Sequence, residues 1–398
     1  MRKLTRRELL KVSAGTAVGL CASELLSGCG GDSTTPAPTP SPAPTPIACS
    51  AGDGATVAAA QGMDLDTMTR SALSALGGIQ SVVKSGESVF IKPNMVTLPW
   101  ASPSYNPFRL GECTKPEIVI AVIDECLKAG AKEVIVGDGS QMPQFDWSGA
   151  TTLDGTTNLA AEAARLSALY SATVRLVCLD VDTPQWVQIP VGTSLGTVLI
   201  SSFVTDADRV ISIPVAKTHK WAYLTLSLKN FIGITPLEPY GWATSSDYTR
   251  DLLHQNDSTP HGFGRLFVDI AKAAAPDLAI IDMSIGIEGD GPSISSGGVT
   301  VDMSTLHGSW IVLASTDAVS ADATAARVLN LESPYVGDIL GMAHDAGMGT
   351  ICQADIQILG ATLDQLRVNW LAANVAAGLH EQPCCSRPPA RPSQGIKS

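Results

Sequence analysis

The sequence predicts an α/β protein: a mostly parallel sheet with helices on both faces, built from βαβ units. Three observations carry this. Short apolar, β-branched runs alternate with stretches of helical period along most of the chain. Residues 88–138 read strand, helix, strand in that order, which makes a parallel pair with a right-handed crossover. And several of the apolar runs end in Lys, Asp, His or Asn, as strands do where they meet a ligand crevice.

Residues 1–29 read as an address. Thr5-Arg6-Arg7-Glu8-Leu9-Leu10-Lys11 resembles the twin-arginine export motif, with Leu9 where Phe is commonest. A weakly apolar run from Val12 to Leu26, interrupted by Glu24, ends in Leu26-Ser27-Gly28-Cys29, which resembles the lipobox of bacterial lipoproteins. Together they predict twin-arginine export to a periplasmic or cell-surface location, with a lipid on Cys29 as the tie to the membrane. Residues 30–55 form a linker. Its STTPAPTPSPAPTP segment is held near polyproline II by alternating prolines, at about 3.1 Å per residue, and sets the folded body off the membrane.

The α/β body is expected over 56–378. Residues 66–83 have a helical pattern, and 88–94 (SVFIKPN) form a strand ending in a polar turn. Thr114-Lys-Pro-Glu117 has the spacing of a capping box with Pro in the first turn, so a helix follows until Gly130. Residues 133–137 are the next strand, leading into Asp138-Gly-Ser140. A helix over 158–170, a strand over 174–179 and a hairpin over 183–201 come next. Residues 209–215 (RVISIPV) are a buried strand breaking into Lys217-Thr-His219-Lys220. A polar loop (244–261), a helix (263–274) and a short buried strand (278–282) lead to an acidic glycine-rich loop, Gly286-Ile-Glu288-Gly-Asp290-Gly-Pro292. A strand over 310–314, helices over 318–329 and 334–346, a strand at 356–358 and a helix over 363–377 complete the body. The Pro/Arg/Ser-rich tail, 379–398, is expected to be disordered.

Composition limits the function classes. A net charge of −12 without a Lys/Arg-rich block argues against nucleic acid, and no apolar run is long enough for a membrane span. Nine cysteines include no C-x-x-C pair, so neither a zinc ribbon nor an iron–sulfur cluster is expected. Setting aside Cys21 and Cys29 leaves an odd seven, and at least one thiol is expected to stay unpaired.

Five predicted strand ends bring polar groups to one edge: Lys92 and Asn94, Asp138 and Ser140, Lys217 and His219, Asp282 with the 286–291 loop, and Asp317. Lys229 and Asn230 lie inside an otherwise apolar segment. A Lys in such surroundings has an anionic partner, because an unpaired buried ammonium costs several kcal/mol. That partner is either a protein carboxylate or a bound anion. Asp317, directly before a helix, is equally a capping residue. Ser140 lacks the G-x-S-x-G elbow of a hydrolase nucleophile.

IKPN (91–94), TKPEIVIAVIDECLKAGAKEVIVGDGS (114–140), DADRVISIPVAKTH (206–219), SLKNFIG (227–233), EGDGP (288–292) and ASTDAVSADATAARVLN (314–330) together resemble DUF362, a family of unknown function widespread in bacteria and archaea. The resemblance covers roughly 85–360. It implies the fold and the position of the site, and it supplies no reaction. Many members carry a ferredoxin-like module whose cysteine pattern is missing here. The Thr-Lys-Pro unit also looks like part of the N-terminal domain of lactate racemase, a nickel-cofactor enzyme.

The expected function is therefore an exported, lipid-anchored enzyme acting on a small carboxylate- or phosphate-bearing substrate with a divalent metal. Lys92, Asn94, Lys217, Lys229 and Asn230 would bind the substrate. Asp138 and His219 would serve as catalytic groups, and Asp282, Glu288 and Asp290 as metal ligands. The alternative is a tethered solute- or metal-binding protein with the same pocket and no turnover.

Overall fold

The structure, a computed structural model, describes residues 54–374 except 194, 221, 242–249, 254–261 and 333–338. The expected signal, almost all of the linker and the tail lie outside the described residues.

The body opens with a strand, β1 (Ala55–Gly62), and a helix, α1 (Leu65–Ala75), capped by Asp64, whose carboxylate accepts the Thr67 N–H. The βαβ core follows: β2 (Ser88–Pro93), α2 (Pro116–Lys128) and β3 (Glu133–Asp138), then α3 (Leu159–Tyr170) and β4 (Thr173–Cys178). Helix α2 starts at Pro116, where a missing N–H costs nothing, and stops before Gly130, whose φ of 87° favours glycine. An antiparallel hairpin, β5 (Trp186–Pro190) with β6 (Thr197–Ser201), stands apart from the main sheet. Next come β7 (Arg209–Ile213), β8 (Val215–His219), β9 (Tyr223–Thr225), the single turn α4 (Ser227–Asn230) and the amphipathic α5 (Gly262–Ala274). The remainder is β10 (Leu278–Gly289), β11 (Gly298–Asp302), β12 (Trp310–Ser315), α6 (Ala318–Val328), the short α7 (Gly341–Asp345) and β13 (Ile356–Leu359).

The main sheet runs β13-β1-β12-β10-β7-β2-β3-β4, with β8, β9 and β11 branching from the far end of β10. From β10 through β7, β2 and β3 to β4 every pairing is parallel. On the other side β12 is antiparallel to both β10 and β1. Helices cover both faces, so even the alternate side chains of the central strands are buried. Val89 and Ile91 of β2 pack with Ile118, Val122, Leu65 and Leu166 of α1, α2 and α3. Phe90 faces the opposite core, which holds Leu228, Phe267, Ile270 and Val319 of α4, α5 and α6. Each such side chain contributes about 1.5–3 kcal/mol on burial.

Several elements differ from expectation. The helix predicted over 66–83 ends at Ala75 because Gly77 and Gly78 adopt φ of 88° and 80°. The capping box at Thr114 does not form. Thr114 Oγ1 instead donates to Ile213 O at 2.6 Å and accepts the Asn94 N–H, tying β7 to the end of β2. The strand predicted over 209–215 is broken by Pro214 and continues as β8, so Lys217 and His219 lie within a strand. The strand predicted over 278–282 runs twelve residues, and most of the expected acidic loop is strand paired to β11. The final helix is one turn, Leu363–Leu366, followed by extended chain to 374; its remaining predicted residues, 375–377, and 334–338 of the preceding helix are outside the described residues.

Candidate functional site

The parallel half of the sheet carries the site, because β2, β3 and β7 end at the same edge. At the end of β2, Lys92 is buried and its Nζ lies 2.5 Å from Asp138 Oδ1 at the end of β3. Lys92 also donates to Pro93 O, and Asp138 Oδ2 accepts the Met95 N–H at 2.6 Å. Gly233 closes over this pair: a Cβ there would lie 2.4 Å from Asp138 Oδ1 and 3.0 Å from Lys92 Nζ. Its carbonyl accepts the Gly139 N–H. On the far side of Gly139, Arg250 donates to Ser140 O and Thr235 O and lies 3.3 Å from Asp180.

Helix α4 supplies the next two groups. It is held by Asp322 of α6, which accepts the Ser227 and Leu228 N–H groups at 2.8 and 3.0 Å. Lys229 is buried with its Nζ 4.8 Å from the centre of the Phe267 ring. Asn230 donates Nδ2 to Lys92 O at 2.7 Å and to Ser212 Oγ at 3.2 Å. Lys217, on β8, donates to the backbone carbonyl of Glu112 at 2.8 Å, beside the buried thiol of Cys113. Thr225 is its direct cross-strand neighbour on β9.

Burial and mutual repulsion set the charge states. Burial pushes the Lys217 ammonium down to about 8. Burial pushes Lys229 further, to about 7, with Lys217, Arg250 and Lys92 adding like-charge repulsion. Burial lowers Lys92 and Arg250 as well, opposed by the carboxylates each faces. It raises Asp180 despite Arg250, and pushes the Cys113 thiol up to about 11. The arrangement can neutralise an anion from several sides. It also holds one amine, Lys229, poised between its two protonation states near neutral pH.

The other predicted residues stand elsewhere. Asn94, at the end of β2, uses its side-chain oxygen to accept the Val96 N–H. Ser140 Oγ donates to Met95 O and Val96 O and is a structural clamp. His219 is buried at the end of β8, on the face Lys217 shares, and accepts the Ala222 N–H at 3.4 Å. Asp282, Glu288 and Asp290 are spread along β10 and past its end, the first two about 20 Å apart at strand spacing. Asp282 is buried against Lys115 at 3.4 Å and also accepts from Ser284 and the Lys115 N–H. Glu288 and Asp290 accept the N–H groups of Leu371 and Asn374, fastening the C-terminal chain. These three carboxylates as placed do not fit a shared cation. Among the described residues no three His, Cys, Asp or Glu side chains group to hold a metal ion. Asp317 lies at the opposite edge, because β12 is antiparallel, and caps α6 through the Ser320 N–H.

Sequence reading missed Lys115, Asp180 and Arg250. Lys115 is fully buried, and the signal was available: a Lys directly before a proline-started, wholly apolar helix face. Arg250 sits in a polar stretch where nothing local marks burial.

The model of the family described as "Domain of unknown function (DUF362)" matches residues 89–327, from β2 to the last turn of α6. The chain belongs to the DUF362 family. The match spans every member of the cationic cluster. A thylakoid-associated protein of Synechocystis sp. is 31% identical over 230 residues, 56% of this chain and 60% of that protein. The DUF362 chain thus spans less than two thirds of that relative's length. Among solved structures, the lactate racemase apoprotein of Thermoanaerobacterium thermosaccharolyticum is 13% identical with a TM-score of 0.30, covering 57% of this chain and 50% of its own. A Thermotoga maritima protein is 10% identical with a TM-score of 0.35, covering 71% and 60%. Neither likeness is close enough to say anything about the DUF362 site.

Proposed function

We propose that this DUF362 protein is an exported, lipid-anchored enzyme that binds a small carboxylate- or phosphate-bearing substrate in the cluster formed by Lys92, Lys217, Lys229 and Arg250. The observation that carries the reading is the convergence of four buried cations at the carboxyl edge of a parallel sheet, where Lys217, Arg250 and Lys92 all repel Lys229. A bound anion relieves that repulsion. Lys229, near neutrality in its protonation, is the proton carrier of the reading, with His219 two residues past Lys217 as the second titratable group. Support for export comes from Cys352, which is in a disulfide bond, a state that persists in oxidising compartments. Cys113, Cys126 and Cys178 are free.

Titrating phosphate, acetate and propionate into the purified protein by calorimetry tests the reading. Saturable binding that Lys217→Met and Lys229→Met each weaken at least tenfold is expected. Absence of any anion binding overturns it. Binding without turnover of any anion in a substrate screen selects the tethered binding protein instead.

A further inference from the structure

Among the described residues, eight buried side-chain polar atoms have no hydrogen-bond partner, and three of them fall within residues 225–230: Thr225 Oγ1, Ser227 Oγ and Asn230 Oδ1. Thr225 pairs across the strands with Lys217, and Ser227 and Asn230 share the turn of Lys229. Buried polar groups are normally satisfied, so such a concentration asks what completes it. The two hydroxyls can donate to an anion. Asn230 is different. Both of its contacts, to Lys92 O and Ser212 Oγ, run from Nδ2, and the carbonyl acceptor fixes which end of the amide is nitrogen. Oδ1 therefore points elsewhere, buried, and it can only accept. An anionic group alone leaves it unsatisfied; its partner must bring a hydrogen.

We propose that the anion bound in this cluster carries a neighbouring hydroxyl group, and that Asn230 Oδ1 accepts its hydrogen bond. The inference rests on the anion-binding reading above and narrows it to hydroxylated small acids. An ammonium group could also donate, but it would add a positive charge beside Lys217, Lys92 and Arg250, which already repel Lys229. A hydroxyl supplies the hydrogen without the charge. Asn230 is thus a specificity-determining residue, and Thr225 and Ser227 are donors to the acidic group.

Calorimetry on the wild-type protein with the near-isosteric set glycolate, propionate and glycine decides this without a mutation; hydroxymethylphosphonate and ethylphosphonate are the matching pair if the acidic group is a phosphate. Glycolate, or its phosphonate counterpart, should bind about tenfold or more tighter than the analogue lacking the hydroxyl, because that analogue leaves a buried acceptor unpaired. Glycine should bind more weakly than glycolate. Asn230→Leu should bring the hydroxyl-to-methyl ratio close to one, with a circular dichroism spectrum to show the variant folded. Equal binding of glycolate and propionate, with equal binding of the two phosphonates, overturns this proposal and leaves the anion site standing. Preference for glycine does the same. No binding of any member sinks both readings.

Discussion

Replacing Lys229 with Met should stabilise the protein, which is not the usual result of changing a buried residue. Moving an ammonium from its ordinary value of 10.5 down to about 7 corresponds to a folded state disfavoured by ~5 kcal/mol when that amine is charged. The sign follows from proton counting. Between pH 7 and 10.5 the unfolded chain holds this proton and the folded chain does not, so stability rises with pH across that window. Below pH 7 the whole penalty is present. Met has similar length and no charge, so Lys229→Met removes the penalty together with the ammonium's own contacts, the one to the Phe267 ring being worth about 0.5–2 kcal/mol. A net gain of up to about 3 kcal/mol at pH 6 is expected, shrinking as pH approaches 10. Urea unfolding of the two proteins at pH 6, 7.5 and 9, with slopes compared, measures it. A variant destabilised by 2 kcal/mol or more at pH 6, with no trend toward higher pH, would refute the reasoning and show that a carboxylate already neutralises Lys229.

Other perturbations separate structural charges from site charges. Lys115→Met strands the fully buried Asp282 and should cost about 3–5 kcal/mol in denaturant unfolding, much of it recovered by adding Asp282→Leu; a stable single variant would contradict the pairing. Gly233→Ala places a methyl 2.4 Å from Asp138 Oδ1, so it should part the Lys92–Asp138 pair, cost about 1–3 kcal/mol and weaken anion binding in the same calorimetric titration. Changing Arg6-Arg7 to Lys-Lys should hold the precursor in the cytoplasm by fractionation, and Cys29→Ala should abolish labelling by a fatty-acid probe. Normal export of the first or labelling of the second counts against the address.

What could be read from the sequence was what short-range patterns encode. The β2-α2-β3 unit was legible because one helical face, one proline and one glycine mark its limits. So was the convergence of Lys92, Asp138 and Lys217, since parallel strands share an edge. The direction of β12 was not legible, and with it went the site half of the Asp317 reading, leaving the capping half: an apolar run reads the same in either orientation, and only the partner strand fixes it. The length of β10 was hidden by Gly286 and Gly289, which look like turn residues although Gly286 sits inside the strand. Its missing side chain admits Ala216 O and the Trp370 ring, to which a Cβ would come within 2.3 and 2.5 Å. The carboxylates read as metal ligands are acceptors for distant backbone, a long-range pairing that no spacing announces.

The placement of β1 bears on how the protein comes to be made. The first strand of the body lies between the last two, antiparallel to β12 through Ala58 and Ala314 and parallel to β13 through Ala55 and Ile356. While a ribosome is still making residues 310–359, β1 has no neighbours on either side, and its backbone donors and acceptors stay open. Closure waits for the carboxyl-terminal stretch and spans some 250 to 300 residues, a slow step because the loop must be ordered before its contacts form. A truncated chain can therefore assemble its nucleus around β2, β3 and β7 and still leave one flank raw. Sheet closure thus acts as a length check made by the polypeptide on itself.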